Sequence, residues 1–489
     1  MGAGKVRKKM EFTRLQETRK LREECGVFGI VRHPNDSFSP AFEAYTALFS
    51  IQHRGQAACG ITVNDDGVFN MHKNTGLVTD VFTPAILDKL QGSAAIGHVR
   101  TATSDSQTRV DAQPITVTHI KGNLSVAHNG NIVNAPELRR EIELAGGIFH
   151  SNSDCEVITY LVVRERLKSS SIELAVKAAM RKLQGAYSMV IMSPRKLIAV
   201  RDPSGFRPLV LGKLGDSYCF ASETCAFDTI GGQVIRDVAP GEIIIIENNE
   251  LRSIPAENPA PMGLCVFEYV YLARPDSIID GVLVEQARQD LGRALAEGDT
   301  VQADMVCGVP DSGVSAAIGY SKQSGIPFGA GLMKNRYVAR TFIQPTQKER
   351  ENAVRLKLNP LSANVKGKKI VLTDDSIVRG TTSAKLVSML RDAGALEVHM
   401  RIASPPFKHP CYFGTDVSNR EVLIAHKHST EEIAAIIGVD SLAYLSVDKV
   451  NGIAKNYGIG VCTGCFTGEY PIEVEDFGEA SIYEKKIEK

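Results

Sequence analysis

The chain has 489 residues, with 56 Lys and Arg balanced by 56 Asp and Glu, so its formal net charge is zero. A chain of this length usually folds into two or three domains. The balanced charge gives no indication of nucleic acid or an anionic membrane as a partner. No apolar run approaches the ~18 residues of a membrane span. Composition therefore predicts a soluble protein of more than one domain.

The first 24 residues carry eight basic and four acidic side chains, and the acids argue against a transit peptide. An acylation motif at Gly2 would need Ser or Thr where this chain has Val6. The chain has ten cysteines and no apolar signal segment at its start, which favours a reducing compartment over a disulfide framework. We therefore expect a cytoplasmic protein.

Short β-like runs dominate the first half, separated by Gly, Asn and Pro turns: CGVFGIV, AAIGHVR, NLSVAHNG, SMVIMS, KLIAVRD and EIIIIEN. Helical patterns at 135–145 and 156–167 interrupt them, which predicts an α+β domain. The proline-rich segment 252–263 has no periodicity and predicts a linker, where we place a domain boundary. Beyond it, apolar strands alternate with amphipathic helices. This alternation predicts a mainly parallel sheet with ligands at the carboxyl ends of its strands.

Cys25 opens the apolar run CGVFGIV directly after the charged leader. If the leader is removed after Glu24, the thiol shares its residue with a free α-amino group, whose pKa is about 8. Such an amine can act as the general base for the thiol, so one residue supplies both nucleophile and base. The alternative is a small buried hydrophobic residue, which is the commoner role of an isolated cysteine.

Five blocks bear on that choice: CGVFGI, HRGQAACGI, GHVRTATS, AHNGNIVN and SNSDCE. Their order and approximate spacing resemble the N-terminal-nucleophile glutamine amidotransferases. The resemblance implies that Cys25 attacks the side-chain amide of glutamine while Asn129 and the Gly130 N–H hold the oxyanion. It also implies that Arg100 pairs with the α-carboxylate of glutamine and that Asp154 accepts from its α-ammonium group. Taken alone, Arg100 would be a surface residue and Asp154 a helix cap.

Two positions depart from the closely similar enzymes, which carry Tyr where this chain has Thr101 and Glu where it has Ala57. The resemblance assigns that tyrosine to a gating cluster between two catalytic sites, so its loss concerns coupling rather than glutamine chemistry. The departures also leave room for a nonenzymatic sensor of purine nucleotides. The intact Cys25, Asn129 and Asp154 favour an enzyme, and a single-turnover assay with glutamine separates the two.

The segment KIVLTDDSIVRGTTSAKL has the pattern of a buried strand, an acidic pair, a small-residue turn and a helix. Asp374 and Asp375 can accept from ribose hydroxyls and help to position Mg²⁺. The turn places N–H and hydroxyl donors at a helix start, which suits a 5′-phosphate. An ordinary turn is the alternative. The block resembles the phosphoribosyl pyrophosphate motif of type I phosphoribosyltransferases, which implies that the phosphate is bound by Arg379, Gly380, Thr381, Thr382 and Ser383.

The segment GVPDSG at 308–313 is similar to the pyrophosphate loop of the same family, which implies that Ser312 is a further Mg²⁺ ligand. Between the two motifs, KNRYVARTFIQPTQKER is rich in Lys and Arg without a clear helical period, which predicts a flexible lid. Lys334 and Arg336 would neutralise the pyrophosphate leaving group as the lid closes. A solvated basic loop is the alternative.

Four cysteines stand apart from the rest: the C-x-x-C pair Cys462 and Cys465, with Cys265 in LCVFEY and Cys411 in HPCYFG. Four thiolates suit either tetrahedral zinc or an iron–sulfur cluster, and their chemistry leaves both open. We expect five further cysteines to lie in the core: Cys59, Cys155, Cys219, Cys225 and Cys307.

Blocks from both halves, including FEYVYLARPDS at 267–277, together resemble the glutamine phosphoribosylpyrophosphate amidotransferases. The match runs from residue 25 to about residue 468. The four cysteine positions match the ligands of the subgroup with an iron–sulfur centre, so the resemblance implies one [4Fe–4S] cluster per subunit. The implied role of the cluster is structural or oxygen-sensing, because no electron needs to move in the reaction.

We therefore expect an α/β protein with a propeptide at 1–24. Residues 25–258 would form a glutamine amidotransferase domain of the four-layer αββα hydrolase type, and residues 259–489 a type I phosphoribosyltransferase domain. The resemblance implies synthesis of 5-phosphoribosylamine from phosphoribosyl pyrophosphate, glutamine and water, at the first step of purine synthesis. It further implies one Mg²⁺ per subunit, a homotetramer and feedback inhibition by purine nucleotides. The rival within the superfamily is another glutamine-dependent transferase, whose glutaminase would not respond to phosphoribosyl pyrophosphate.

Overall fold

The computed structural model describes residues 25–101, 109–257, 259–335, 358–415, 417 and 420–473. The expected propeptide and most of the expected lid, including Arg336, lie outside this part of the chain. None of the helices in the described part is both long and apolar enough to cross a membrane.

The first half contains two antiparallel sheets. Their strands are, in chain order, β1 (Gly26–Val31), β2 (Ala58–Asp65), β3 (Val68–Thr75), β4 (Ala94–Arg100), β5 (Ile115–His119), β6 (Gly122–Ile132), β7 (Gly185–Met192), β8 (Lys196–Arg201), β9 (Val210–Leu214), β10 (Ser217–Ala221), β11 (Gln233–Asp237), β12 (Ile243–Glu247) and β13 (Glu250–Ile254). One sheet has the order β11-β9-β10-β1-β4-β2-β3, and the other has the order β13-β12-β8-β7-β6-β5.

The two sheets pack face to face. Alternate side chains of the central strands point into the layer between the sheets, where Val27, Ile96, Ala127, Val190 and Phe220 form one buried cluster. The outer face of the first sheet is covered by the helices Pro40–Ser50, Val78–Val81, Pro84–Leu87 and Cys225–Ile230. The outer face of the second is covered by Ala135–Leu144, Asp154–Lys168 and Ile172–Met180. The four-layer αββα architecture is therefore confirmed.

The second half is built around one parallel sheet. The strands of this half are, in chain order, β14 (Leu264–Cys265), β15 (Ile278–Ile279), β16 (Val282–Leu283), β17 (Met305–Gly308), β18 (Leu332–Lys334), β19 (Leu358–Pro360), β20 (Lys369–Asp374), β21 (Glu397–Ile402), β22 (Ser441–Tyr444) and β23 (Val461–Cys462). Strands β17, β20, β21 and β22 are neighbours in that order and all pairs are parallel. The mainly parallel sheet expected from the sequence is confirmed.

Helices cover both faces of this sheet. One face packs against the helices Val284–Ala296, Ser312–Ser324 and Val447–Asn456, and the other against Thr381–Asp392 and Thr430–Ile437. Shorter helices are Ser362–Val365, Ile424–Lys427 and Gly464–Thr467, and a π-helical turn spans Glu268–Leu272. Because β17 and β20 are adjacent and parallel, the loops after them meet at the same edge of the sheet.

The segment expected to be a linker is partly structured. Residues Arg252 to Ile254 complete β13 and pair with β12, from Ile243↔Ile254 to Ile245↔Arg252. The prolines in the segment begin only at Pro255, and a strand can end there because proline cannot donate to the ladder. The irregular connection between the halves is therefore shorter than the sequence pattern indicated.

Candidate active sites

Cys25 lies immediately before β1 and opens into a cavity of 350 Å³. Arg100, Thr101, Gly130 and Asp154 line the same cavity. A larger cavity of 680 Å³ lies elsewhere in the first half, and the described residues that line it include no cysteine. The smaller cavity therefore brings together a nucleophilic side chain, a cation and an anion that lie far apart in the sequence.

Asn129 and Gly130 lie near the end of β6, beside the cavity. Asn129 is 1% exposed, and within the described residues neither its amide nitrogen nor its amide oxygen has a hydrogen-bond partner. A buried amide without a partner costs free energy, and such a cost is expected where a donor is reserved for charge that develops during a reaction. Gly130 has a φ of 140°, and a Cβ there would lie 2.1 Å from the Ala186 carbonyl oxygen, so only glycine fits.

Arg100 ends β4, where its Nη1 lies 3.9 Å from Asp111 Oδ2. Asp154 is the first residue of the helix Asp154–Lys168, and its Oδ2 accepts from the Ile132 N–H at 3.1 Å. The cap of this helix is Ser153, whose hydroxyl accepts from the Cys155 N–H, so Asp154 is left to face the cavity. One cation and one anion on the cavity wall can bind the carboxylate and ammonium groups of a free amino acid.

Two histidines behind Asp154 were not singled out in the sequence. The Nδ1 of His128 lies 3.6 Å from Asp154 Oδ1, and His98 Nε2 lies 3.0 Å from the His128 carbonyl oxygen. His98 is fully buried, and burial lowers its pKa to about 3 although the hydrogen bond with His128 opposes the shift. The His98 ring is therefore neutral at pH 7.

The two positions that depart from the related enzymes, Thr101 and Ala57, lie beside Arg100. The Thr101 hydroxyl donates to the Arg54 carbonyl at 2.6 Å, and the Ala57 N–H donates to the Arg100 carbonyl at 2.9 Å. Thr101 is the last described residue before the gap at 102–108. Both residues therefore border the segment that carries Arg100.

The second site lies at the carboxyl edge of the parallel sheet. Asp374 ends β20 and Asp375 follows it, and both are buried. The Ser312 hydroxyl donates to Asp375 Oδ2, and burial raises the pKa of Asp375. A Cβ on Gly313 would lie 2.5 Å from the Thr373 carbonyl oxygen, so the start of the helix Ser312–Ser324 packs closely against the end of β20. Ser312 and the acidic pair are therefore within reach of one ligand.

The helix Thr381–Asp392 begins directly after Gly380, whose φ is 77°. Arg379 precedes that glycine, and Ser383, in the first helical turn, is buried. The N–H groups at such a helix start have no partner within the helix and point at the space beyond it. The turn therefore presents donors on the same side of the sheet as the acidic pair.

Lys334 ends β18, and its ammonium group pairs with Asp311 in the loop after β17. The sequence predicted that this lysine meets a pyrophosphate group, and its position beside the 308–313 loop is compatible with that role. Arg336, its expected companion, lies outside the described residues.

The four distinctive cysteines converge in the second half. Cys265 and Cys462 are paired residues of β14 and β23. Burial raises the pKa of Cys465 well above its ordinary value, and charge on Cys411, Cys265 and Cys462 raises it further. Burial likewise raises the pKa of Cys462 to about 12.

Four thiolates can hold either a single metal ion or an iron–sulfur cluster. Among the described residues, no three His, Cys, Asp or Glu side chains lie close enough to hold a single metal ion. The ligands of a cubane cluster bind four different irons and so stand further apart than the ligands of one ion. Four thiols brought together from separate segments are a donor set that an iron–sulfur cluster can use.

The remaining five cysteines are buried, as expected from their apolar surroundings. Burial raises the pKa of each thiol, to about 12 for Cys59 and Cys307. These thiols are therefore protonated at pH 7 and act as small core residues.

A buried ion cluster joins the two halves and was missed in the sequence. Arg54 donates to Glu268 in two bonds of 2.7 and 3.0 Å, and also donates to Glu223 at 2.5 Å. Glu268 in turn lies 3.4 Å from Arg207. Burial alone would raise the pKa of Glu223, but the charges of His53 and Arg54 outweigh it and hold that pKa far below its ordinary value.

This cluster reaches the nucleophile, because Arg54 Nε donates to the Cys25 carbonyl at 3.2 Å. Its signal in the sequence was a glutamate inside the apolar run FEYVYL and an arginine inside the block HRGQ. Isolated charges in apolar runs are seldom buried unless paired. Sequence spacing does not identify the partner.

Comparison with known proteins gives consistent matches. A family model described as a glutamine amidotransferase domain matches residues 98–229. Proteins named amidophosphoribosyltransferase from Bacillus subtilis and Archaeoglobus fulgidus are each 47% identical to this chain; the matches cover 94% and 92% of it and 96% and 98% of those proteins. The structure of glutamine phosphoribosylpyrophosphate amidotransferase from B. subtilis, complexed with ADP and GMP, has a TM-score of 0.86 at 46% identity, covering 93% of this chain and 98% of that one.

Proposed function

Because this chain belongs to the amidophosphoribosyltransferase family, we propose that it makes 5-phosphoribosylamine from phosphoribosyl pyrophosphate, glutamine and water. This is the first step of purine synthesis. The observation that carries the proposal is the pairing of two sites in one chain, a thiol cavity at Cys25 and an acidic pair at the edge of a parallel sheet. Residues 25–258 form the glutamine domain, and residues 259–489 form the phosphoribosyl domain.

At the first site, the α-amino group of Cys25 takes the thiol proton, and the sulfur attacks the side-chain carbonyl carbon of glutamine. Arg100 and Asp154 bind the α-carboxylate and α-ammonium groups of the substrate, while Asn129 and the Gly130 N–H stabilise the oxyanion. The protonated amine then gives its proton to the departing nitrogen, and ammonia leaves. Water hydrolyses the thioester to glutamate and restores the thiol.

The free amine requires that residues 1–24 are removed, because with the leader attached the Cys25 nitrogen is a nonbasic amide. We expect the Cys25 thiol itself to take part in cutting after Glu24. Sequencing of the amino terminus of active enzyme should give Cys-Gly-Val-Phe, whereas a Cys25→Ala protein should keep its leader. Full glutamine-dependent activity from a chain that still begins at Met1 would contradict this step.

At the second site, Asp374 and Asp375 bind the ribose hydroxyls, and the Arg379 to Ser383 turn binds the 5′-phosphate. Ser312 and the two aspartates would hold Mg²⁺, which would supply neutralisation of the negative charge on the departing pyrophosphate. The donor set fits this ion, since Mg²⁺ favours one or two carboxylates plus substrate phosphates. Lys334 and Arg336 neutralise the same leaving group. Ammonia from the first site attacks ribose C1 as the C1–O bond to pyrophosphate breaks.

We further propose that Cys265, Cys411, Cys462 and Cys465 hold one [4Fe–4S] cluster per subunit. When bound, the cluster supplies iron–thiolate bonds that cross-link distant segments of the second domain. Protein purified without oxygen should be brown and contain about four irons per chain. Cys462→Ser should lose the colour and much of its solubility. Stoichiometric zinc in a colourless protein would contradict the cluster.

Purine nucleotides are proposed as feedback inhibitors, since the structural relative from B. subtilis was solved with ADP and GMP. A second solved structure that matches this chain, with a TM-score of 0.87 at 46% identity, is that of the allosteric regulatory enzyme of purine biosynthesis. We also propose a homotetramer and a cytoplasmic location, the latter because the cysteines in the described residues form no disulfide bond.

The proposed function is tested by assaying glutamate and pyrophosphate release together. With both substrates, the wild-type protein should release the two products in a ratio of about one to one. Replacing both Asp374 and Asp375 with Asn should abolish pyrophosphate release, because the ribose and Mg²⁺ ligands are lost. Basal glutamine hydrolysis should persist, since the acids belong to the other site. Equal loss of both activities would contradict two separate sites.

A further inference from the structure

A segment of the second half lies directly against the oxyanion strand of the first. The Asn131 side-chain amide, on β6, donates to the Tyr412 carbonyl at 2.8 Å, across 281 positions of sequence. Successive side chains of a strand alternate between its faces, so Asn131 projects on the same face as Asn129. The residue between them is Gly130. The contact therefore holds β6 at the point where the oxyanion donors lie.

The segment Tyr412–Gly414 also touches Gly130 itself. A Cβ on Gly414 would lie 3.3 Å from the Gly130 carbonyl carbon and 3.5 Å from its Cα. Glycine at 414, with a φ of 113°, allows this approach of two backbones. The position of Gly130 is thus limited on one side by Ala186 and on the other by the second half.

Contacts with Arg207 and Phe206 of the first half hold the Tyr412–Gly414 segment in place. Arg207 Nη2 donates to the Phe413 carbonyl at 2.6 Å, and the Phe413 ring stacks on Phe206 with their centroids 4.3 Å apart. Phe413 is 2% exposed. Arg207 also lies 3.4 Å from Glu268, the residue that pairs with Arg54 beside the nucleophile. One arginine therefore connects the support of the oxyanion strand to the support of Cys25.

We propose that Asn131 is a positioning residue for glutamine hydrolysis, which it serves by holding the oxyanion strand against the Tyr412–Gly414 segment of the second half. The inference rests on the proposed function of this cavity as the glutamine site. Oxyanion stabilisation is sensitive to small displacements because the donors act only at the place where charge develops. Loss of the Asn131 contact moves Gly130 without removing any group that binds glutamine.

The chain offers a matched control on the same strand. Asn123 also lies on β6, and its side-chain amide donates to the Gly67 carbonyl at 2.8 Å. That contact is within the first half and far along the strand from the oxyanion pair. Asn131 is exposed, so its replacement leaves the core packing intact. Both variants should fold.

The experiment compares Asn131→Leu, Asn131→Asp and Asn123→Leu in steady-state hydrolysis of glutamine. In both Asn131 variants, kcat should fall about tenfold while KM for glutamine stays within about twofold, because the lost interaction acts in the transition state. Asp is isosteric with Asn but cannot donate to the Tyr412 carbonyl. Asn123→Leu should retain wild-type kcat, and all three should retain ammonia-dependent synthesis.

A second readout separates positioning from a general structural effect. Glutamate γ-semialdehyde adds to the Cys25 thiol, and the resulting alkoxide occupies the oxyanion position. Its inhibition constant should rise by the same factor as kcat falls, while inhibition by the product glutamate stays unchanged.

A rise in KM with unchanged kcat would overturn the inference, since Asn131 also lines the cavity and would then be a glutamine-binding residue. Equal defects in the Asn131 and Asn123 variants would overturn it too, because the effect would belong to the strand as a whole. Wild-type protein that does not hydrolyse glutamine would refute the proposed function, and with it the inference.

Discussion

Arg54 shows how the nucleophile is supported at the level of single residues. Its guanidinium is fully buried, pairs with carboxylates from both halves, and donates to the Cys25 carbonyl. Burying a charge costs free energy unless the charge is paired and hydrogen-bonded, so both carboxylates are needed to stabilise the buried guanidinium. Glu223 belongs to the first half and Glu268 to the second. The environment of the thiol therefore depends on both domains.

Glu268→Gln should lower the free energy of unfolding by about 3 kcal/mol, because it removes one charge from a buried, paired arginine. It should also reduce glutamine hydrolysis more than ammonia-dependent synthesis, since Arg54 holds the Cys25 backbone. Urea denaturation and the two assays check this. Glu257→Gln is the matched control, since Glu257 pairs with Lys177 and Arg181 at the surface and its loss should not move the denaturation midpoint. Equal midpoints for the two variants would contradict the role given to Glu268.

His98 predicts a pH dependence of stability. Its pKa is about 3 in the folded protein and about 6.5 in an unfolded chain, so the unfolded state binds one more proton between those values. Stability is therefore lost as pH falls below 6.5, and from pH 6.5 to pH 5 the loss is about 2 kcal/mol. His98→Gln, which cannot titrate, should show a correspondingly smaller change in its urea midpoint over this range. Parallel pH profiles for the two proteins would exclude His98 as the source.

At the level of elements, the sequence located six strands and two helices of the first half, and in the second half the strand and helix on either side of the acidic pair. The alternating run NLSVAHNG became the central part of β6, and the helix after the acidic pair begins at Thr381, where the small-residue turn ends. These elements were predictable because their hydrophobic periodicity is local. The end of β13 was not, because proline-rich composition suggested a linker where pairing with β12 extends the sheet.

The site residues also include some that the sequence indicated and some that only the fold brings together. Cys25, Asn129 and the acidic pair lie in short blocks whose residue order carries the chemistry, so the sequence indicated them. The contact between Asn131 and Tyr412 could not be predicted, because nothing in either local pattern indicates the partner. Arg54 and Glu268 were visible as charges in apolar surroundings, but only the fold pairs them.

The turn before the helix Thr381–Asp392 allows a test of the proposed phosphate site. Gly380→Ala forces a residue with a Cβ to a φ of 77°, and that Cβ would lie 2.9 Å from Ile424 Cδ1. We expect a loss of stability of about 1 kcal/mol from the left-handed backbone, and a KM for phosphoribosyl pyrophosphate raised about tenfold because the phosphate donors shift.

Gly438→Ala is the control for this variant. Gly438 has the same φ of 77°, but a Cβ there would meet no atom within 4 Å. Its stability should fall by a similar amount without any change in KM. If Gly380→Ala also left KM unchanged, the turn would not be the phosphate site.

At the level of the whole molecule, one buried arginine, Arg288, interacts electrostatically with residues of both sites. Arg288 donates to the Tyr269 and Ala273 carbonyls at 2.7 Å each. Burial lowers its pKa, and the charges of Asp375, at the second site, and Glu223, beside the first, oppose the shift. The segment held by Arg288 is the one that carries Glu268. Charged residues from both sites, Asp375 and Glu223, therefore act on the same arginine of the second half.

This arrangement explains why two reactions are joined in one chain. Free ammonia becomes protonated and disperses in water, so a shielded path between the sites favours its transfer. Thr101 lines the cavity of the first site, and we expect this departure from the related enzymes to change the coupling of the sites rather than the thiol chemistry. The central claim is that Cys25 supplies the nitrogen used at the acidic pair.

Cys25→Ala tests this claim most directly, when phosphoribosylamine formation is measured with glutamine and, separately, with ammonium salts at alkaline pH. The variant should lose glutamine-dependent synthesis, because no other residue replaces the thiol. It should keep ammonia-dependent synthesis at close to the wild-type rate, since free ammonia bypasses the first site. Glutamine-dependent synthesis by the variant, or loss of both activities in a folded protein, would contradict the two-site account.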